Sequence, residues 1–242
     1  MRIYSSSFFH FTNNFDAIKG IMQNGFNVTF CLEEVYSLQK KVLRIGIPMV
    51  SFCDVPLNFI TANNYGDFGI GMSRSWGIEH LLQPVMYYPN NKECQSTQMI
   101  IDASNEFIKN REASSAYRIL GYSKPLKKII PRKNQNDNNY IEREWRKVYK
   151  SFGPQRWKTE KEYKLYRGQK DSPKKHIGFP LRFGINDIDC IILRKEYINS
   201  FIEYIFSEEL NHLGGKNVEF SIRDRQILLS KIIQYESLEY NL

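Results

Sequence analysis

A chain of 242 residues that is 42% apolar, 14% aromatic and 25% charged can bury one good core, is too apolar for disorder over most of its length, and holds no apolar run long enough to span a membrane. Its net charge of +8 is unevenly spread: residues 109–182 hold 21 Lys and Arg against 7 Asp and Glu, or +14, while the other 168 residues hold 13 against 19, or −6. A basic middle on an acidic frame fits a polyanion-binding face, and equally a solvated lysine-rich surface.

The opening MRIYSSSFFHF has one early arginine but no sustained apolar region or small-residue cleavage site, so it does not read as a signal peptide. Ile3–Phe11 reads as a buried strand, and Asn13 or Asn14 can cap a helix in which Phe15, Ile18 and Met22 share one face and Gly25 supplies the stop. A second helix is expected over Leu32–Lys41, and GIPMVSFCDVP at 46–56 is a strand bounded by Gly46 and Pro56. In NNYGDFGIGMSRSWG at 63–77, glycines 66, 69 and 71 allow a partner's close approach or tight turns. QPVMYY at 83–88 reads as a strand, Thr97–Asn110 as a helix, and 122–140 as a polar, basic stretch ending in a loop. Strands return at 143–149, 162–166 and 187–193, a helix covers Lys195–Phe206, and two short strands close the chain. Strands scattered among helices without regular βαβ alternation predict an α+β fold, here as a single domain over 1–242. Cys31, Cys53, Cys94 and Cys190 form no C-x-x-C pair, which argues against structural zinc or a disulfide framework and fits a reducing cytosol.

Three features carry chemistry. His10 and Thr12 end an apolar run that needs neither; Tyr65 and Arg74 flank a glycine–aromatic stretch; and YIEREWR at 140–146 places Glu142 and Glu144 at i and i+2. On a strand that spacing puts both carboxylates on one face, with Arg143 and Trp145 on the other. Two like charges so close raise at least one pKa unless a cation or substrate separates them. Plainer roles exist for each: a core histidine, a helix-capping threonine, a packed tyrosine, an arginine paired with Glu79, a solvated acid pair. No Walker loop, G-x-S-x-G, H-E-x-x-H or G-x-G-x-x-G occurs, which removes the P-loop, hydrolase-elbow, zinc-protease and Rossmann readings.

Read in order, FFHFT…IMQNGF, IPMVSFCDVPL, YGDFGIGMSRSWG, QPVMYY, YIEREWR and INDIDCIIL resemble the AbiGi-like abortive-infection proteins of bacterial phage defence over nearly the whole chain. The early H-F-T with a helix ending in glycine is also similar to the opening of DNA-targeting ADP-ribosyltransferase toxins. That resemblance implies a split β-sheet core with flanking helices and NAD as substrate, with no metal. It implies His10 with Thr12, and Tyr65 with Ser51, on NAD, Arg74 on the pyrophosphate, and Glu144 or Glu142 as the catalytic carboxylate. Glu144 would stabilise the oxocarbenium-like ribose and Glu142 would orient the acceptor.

The +14 segment makes nucleic acid the expected acceptor, RNA ahead of DNA. Trp157, Tyr163 and Tyr166 stand among Arg156, Lys158, Lys161, Lys164 and Arg167, an arrangement suited to stacking bases while cations meet phosphates. Each aromatic serves equally as a core residue. A transferase toxin of this kind would have a cognate antitoxin or a second defence protein as partner. Two other classes stay open. One is a non-catalytic, antitoxin-like component that keeps the scaffold and binds a protein toxin or a nucleotide. The other is a metal-dependent nuclease built on Glu142, Glu144 and Asp137.

Overall fold

The computed structural model describes residues 5–38, 42–60, 65–111, 114–130, 137–149, 157–168 and 179–241. Ile3, Lys41, Arg156 and positions 131–136 of the basic loop lie outside them. In chain order the elements begin with strand β1 (Ser7–Thr12), helix α1 (Phe15–Asn24), β2 (Thr29–Val35), β3 (Leu43–Cys53), β4 (Phe68–Ser73) and α2 (Arg74–Glu79). There follow β5 (Gln83–Pro84), β6 (Met86–Tyr88), α3 (Gln95–Lys109), α4 (Ser114–Leu120), β7 (Ser123–Pro125), β8 (Glu144–Val148), β9 (Lys158–Thr159) and α5 (Glu160–Gly168). The chain closes with β10 (Ile188–Leu193), α6 (Ile198–Phe206), α7 (Ile222–Leu229) and β11 (Ile232–Gln234). The fold is mixed α+β, as the unalternating pattern predicts.

The chain gathers into two compact units, one made of residues 1–27, 51–82 and 179–242, the other of 28–50 and 83–178. In the first, strands run in the order β11-β10-β4-β1, and Phe9 of β1 pairs with Cys53 at the end of β3. β10 is parallel to β11 and antiparallel to β4, which is antiparallel to β1. Asn14 is the cap of α1, its side chain accepting from Asp16 N at 2.9 Å, and Gly25 stops the helix at φ 77°. The glycines of β4 answer to packing. A Cβ on Gly69 would meet the Phe11 ring at 2.7 Å, and one on Gly71 would meet the Phe9 ring and Cys190 Sγ at 2.8 Å. These residues are glycine because β1 lays its phenylalanines across them.

In the second unit, β2 pairs with β3 along its whole length, from Thr29 opposite Met49 to Val35 opposite Leu43. The helix expected over Leu32–Lys41 is therefore a strand over its first residues: ladder partners on β3 override the helical propensity of LEE. Helices α3 and α4 bury Ile100, Ile101, Phe107, Ala116 and Leu120 in one cluster with Ile45, Ile47, Met49 and Trp157. Two more expectations give way. Residues 162–166 are helical within α5, because Thr159 and Glu162 exchange bonds (Thr159 N to Oε2 2.8 Å, Glu162 N to Oγ1 3.3 Å) and close a capping box. The chain end holds one strand, β11, preceded by α7, which Ser221 and Asp224 cap in the same reciprocal way.

Candidate functional site

The densest polar chemistry lies in the second unit, where β2 supplies Glu33, β7 Lys124 and β8 Glu144 and Arg146. Glu142 ends a 3-10 turn over Asn139–Glu142. Arg143 then adopts a left-handed conformation at φ 42°, and the strand starts only at Glu144. Glu142 and Glu144 thus do not share a strand face; the i, i+2 pair on β8 is Glu144 with Arg146. Arg146 is wholly buried and Glu144 is 6% exposed. Arg146 Nε meets Glu144 Oε1 at 2.6 Å and its Nη2 meets Glu144 Oε2 at 2.9 Å and Glu33 Oε2 at 2.8 Å, while Nη1 donates to Gly121 O at 3.2 Å. Lys124 Nζ donates to Glu142 Oε2 at 2.7 Å and Glu144 Oε2 at 2.9 Å.

Burial by itself would push the Glu144 carboxyl up, but Arg146 and then Lys124 outweigh it and hold it at about 2. Burial likewise works against the charge on Lys124, and Glu144, Glu33 and Glu142 more than restore it. Beside this network Cys31 is pushed up to about 11 by burial and by Glu33, so its thiol is inert. A cavity of about 340 Å³ lies alongside, lined among others by Glu33, Arg44, Lys124, Glu142 and Glu160. A general base needs an unclaimed lone pair and a pKa near the working pH. Glu144 has neither. Of the expected pair, Glu142, with its side chain 34% exposed, is the one that lines the cavity.

The residues expected to hold NAD all belong to the first unit. His10 Nδ1 lies 2.9 Å from Ser51 O, so this nitrogen carries the proton and donates. The ring packs against Phe26 and Phe52, and burial lowers its pKa despite the Ser51 carbonyl. His10 and Ser51 are therefore brought together, through the serine carbonyl rather than its hydroxyl. Thr12 Oγ1 accepts from Asn14 N at 3.1 Å, which ties it to the start of α1. Tyr65 stacks on Phe11 at 5.5 Å. Arg74 Nη2 meets Asp54 Oδ1 at 2.6 Å, its Nε donates to Ser5 O at 2.9 Å, and it lies over the Phe8 ring. The fork meant for a pyrophosphate is occupied by the chain itself.

The expected nucleic-acid residues divide. Trp157 is wholly buried, donates to Tyr149 O at 3.1 Å and meets Tyr117 edge-on at 4.4 Å; it is a core residue with no face to offer a base. Lys158 lies over the Phe30 ring, and Tyr166 meets the same ring edge-on. Tyr163 packs against Gly46. Lys161, Lys164 and Arg167 are exposed on α5. Among the described residues no group of three His, Cys, Asp or Glu side chains is placed to hold a metal ion, and no helix is long and apolar enough to cross a membrane. Arg146 was in plain view two residues from Glu144, whereas Glu33 and Lys124 come from distant strands and leave no local signal.

The family model described as "Putative abortive phage resistance protein AbiGi, antitoxin" matches residues 24–194. A protein of Lactococcus lactis subsp. cremoris, "Abortive phage resistance protein AbiGi", is 25% identical over 232 residues, covering 80% of this chain and 88% of its own length. No solved structure matches the chain.

Proposed function

From the premise that the chain belongs to the AbiGi family of abortive phage resistance proteins, we propose that it is the antitoxin-like component of a two-part phage-defence system and acts by binding a partner. The observation that carries this reading is the state of Glu144. Both of its oxygens are taken by Arg146 and Lys124, so the most enclosed acid of the expected catalytic pair serves as a structural anion. The family description, which includes the word antitoxin, supports the same side.

A second reading keeps the ADP-ribosyltransferase-like site, with NAD as substrate and RNA or DNA as acceptor. It rests on Glu142, whose carboxylate lines the cavity beside Lys124. One experiment separates the two. The purified chain is incubated with labelled NAD and separate RNA, DNA and protein pools, and the chain is expressed in a bacterial host alone and with a candidate toxin. Partner binding predicts no nicotinamide release, unimpaired growth on its own, and rescue of toxin-arrested growth. Nicotinamide release that Glu142→Gln abolishes would overturn the proposal in favour of the transferase.

A further inference from the structure

We propose that the exposed face of α5, with the neighbouring edge of β3, seats an acidic, amphipathic segment of the partner protein; this deepens the partner-binding reading and rests on it. A groove of about 560 Å³ runs between them, lined among others by Leu43, Arg44, Lys161, Lys164 and Leu165. Lys161, Lys164 and Leu165 stand at i, i+3 and i+4, one face of a helix. Leu165 is 62% exposed and the Lys164 side chain 70% exposed. No residue of α5 is fully buried, although helices of this length draw most of their stability from a covered face. An exposed leucine between cations fits an occupant that brings carboxylates and an apolar side chain together.

Glu160 holds the place of such a carboxylate. Its Oε1 meets Arg44 Nη1 at 3.2 Å and Lys164 Nζ at 2.7 Å, and all three residues line both this groove and the 340 Å³ cavity. Ion pairs this exposed contribute little to stability, so an incoming acid can exchange with Glu160 at small cost. A nucleic-acid strand would bring the opposing charge, but a single strand draws much of its further affinity from aromatic faces for its bases. Trp157 is sealed in the core and Tyr166 is turned against Phe30. Leu165 has no task on a phosphate backbone. The observations favour a protein.

The test uses the intact chain and two probes of equal net charge in fluorescence anisotropy: a labelled peptide of glutamate and leucine at helical spacing, and a labelled single-stranded RNA. Lys161→Glu/Lys164→Glu is expected to weaken peptide binding by about tenfold or more. Leu165→Ser should weaken it without altering its salt dependence, and Glu160→Gln should tighten it by releasing Lys164 and the Nη1 of Arg44, whose Nε and Nη2 stay on Glu34. Melting temperatures of all three should match the wild type, since the positions are surface ones. Unchanged peptide affinity across the set overturns the proposal, as does RNA binding that is tighter than peptide binding and lost in the same variants. Growth rescue separates the two levels. A wild type that rescues no arrested host counts against partner binding altogether, while variants that rescue as well as the wild type sink only the assignment of this face.

Discussion

The two units treat charge in opposite ways. In the first, charges meet in small, partly exposed groups: Arg74 pairs with Asp54 at 30% and 11% side-chain exposure and Arg194 with Asp67 and Glu236 at 30%, 41% and 26%, while His10 stays neutral against one carbonyl. In the second, five charges form a connected network whose side-chain exposure rises outward, from 0% at Arg146 through 7% at Glu144, 14% at Glu33 and 17% at Lys124 to 34% at Glu142. Paired acids on a short motif therefore do not by themselves mark reactivity. A carboxylate buried between two cations is costly to disturb and poor at chemistry, whereas the member at the rim keeps access to solvent.

Breaking the network from its centre should have the largest effect. Arg146→Met leaves Glu144 and Glu33 buried without their common cation and is expected to cost about 3–5 kcal/mol. Arg146→Met/Glu144→Leu should cost clearly less, a coupling that urea unfolding of the single and double variants measures. The same network sets an acid limb. Glu144 has a folded pKa of about 2 against 4.5 for the ordinary carboxyl, so its contribution is fully present above pH 4.5 and lost as pH falls toward 2. That contribution is on the order of 3 kcal/mol, and Glu144→Gln should flatten the limb.

Trp157→Ala should cost about 3–5 kcal/mol through the cavity it leaves. Whatever affinity the folded protein has for polyanions should be unchanged, because the ring offers no stacking face. A smaller loss is expected at the crossing in the first unit. Gly71→Ala would drive a methyl to within 2.8 Å of the Phe9 ring and Cys190 Sγ, an overpacking worth about 1–3 kcal/mol; Gly20→Ala, inside α1 with nothing within 4 Å, should instead stabilise by up to about 1 kcal/mol through helix propensity. Thermal melts of both variants check this.

How much of this was legible depended on the range of the interaction. Helix α1, with Asn14 and Gly25, and strands β3 and β10 follow from local patterns. The capping box at Thr159–Glu162 was also local and predicts α5, but the alternation in EYKLY suggests a strand until that box is weighed. The strand identity of β2 was not local, since it comes from seven partners on β3. Likewise the sequence shows Glu144 beside Arg146 but not Lys124 and Glu33, which only folding delivers. Glycines 69 and 71 were visible as an oddity; their cause, the phenylalanines of β1, sits some sixty residues away.

The smallest expected effect concerns His10 and tests the other side of the comparison. Its folded pKa lies below the ordinary 6.5 because burial disfavours the imidazolium, only partly offset by the Ser51 carbonyl. Between the two values the unfolded chain binds a proton that the native chain does not, so stability rises with pH. The His10 contribution is fully present above about pH 6.5 and erodes as pH falls below it, well before Glu144 begins to titrate. His10→Asn keeps a side-chain donor for Ser51 O yet cannot take up a proton. Unfolding free energies at about pH 8 and about pH 5.5 should differ in the wild type and converge in His10→Asn. An undiminished pH dependence in that variant would show that His10 is not the group responsible, and that the first unit handles this histidine no differently from a solvated one.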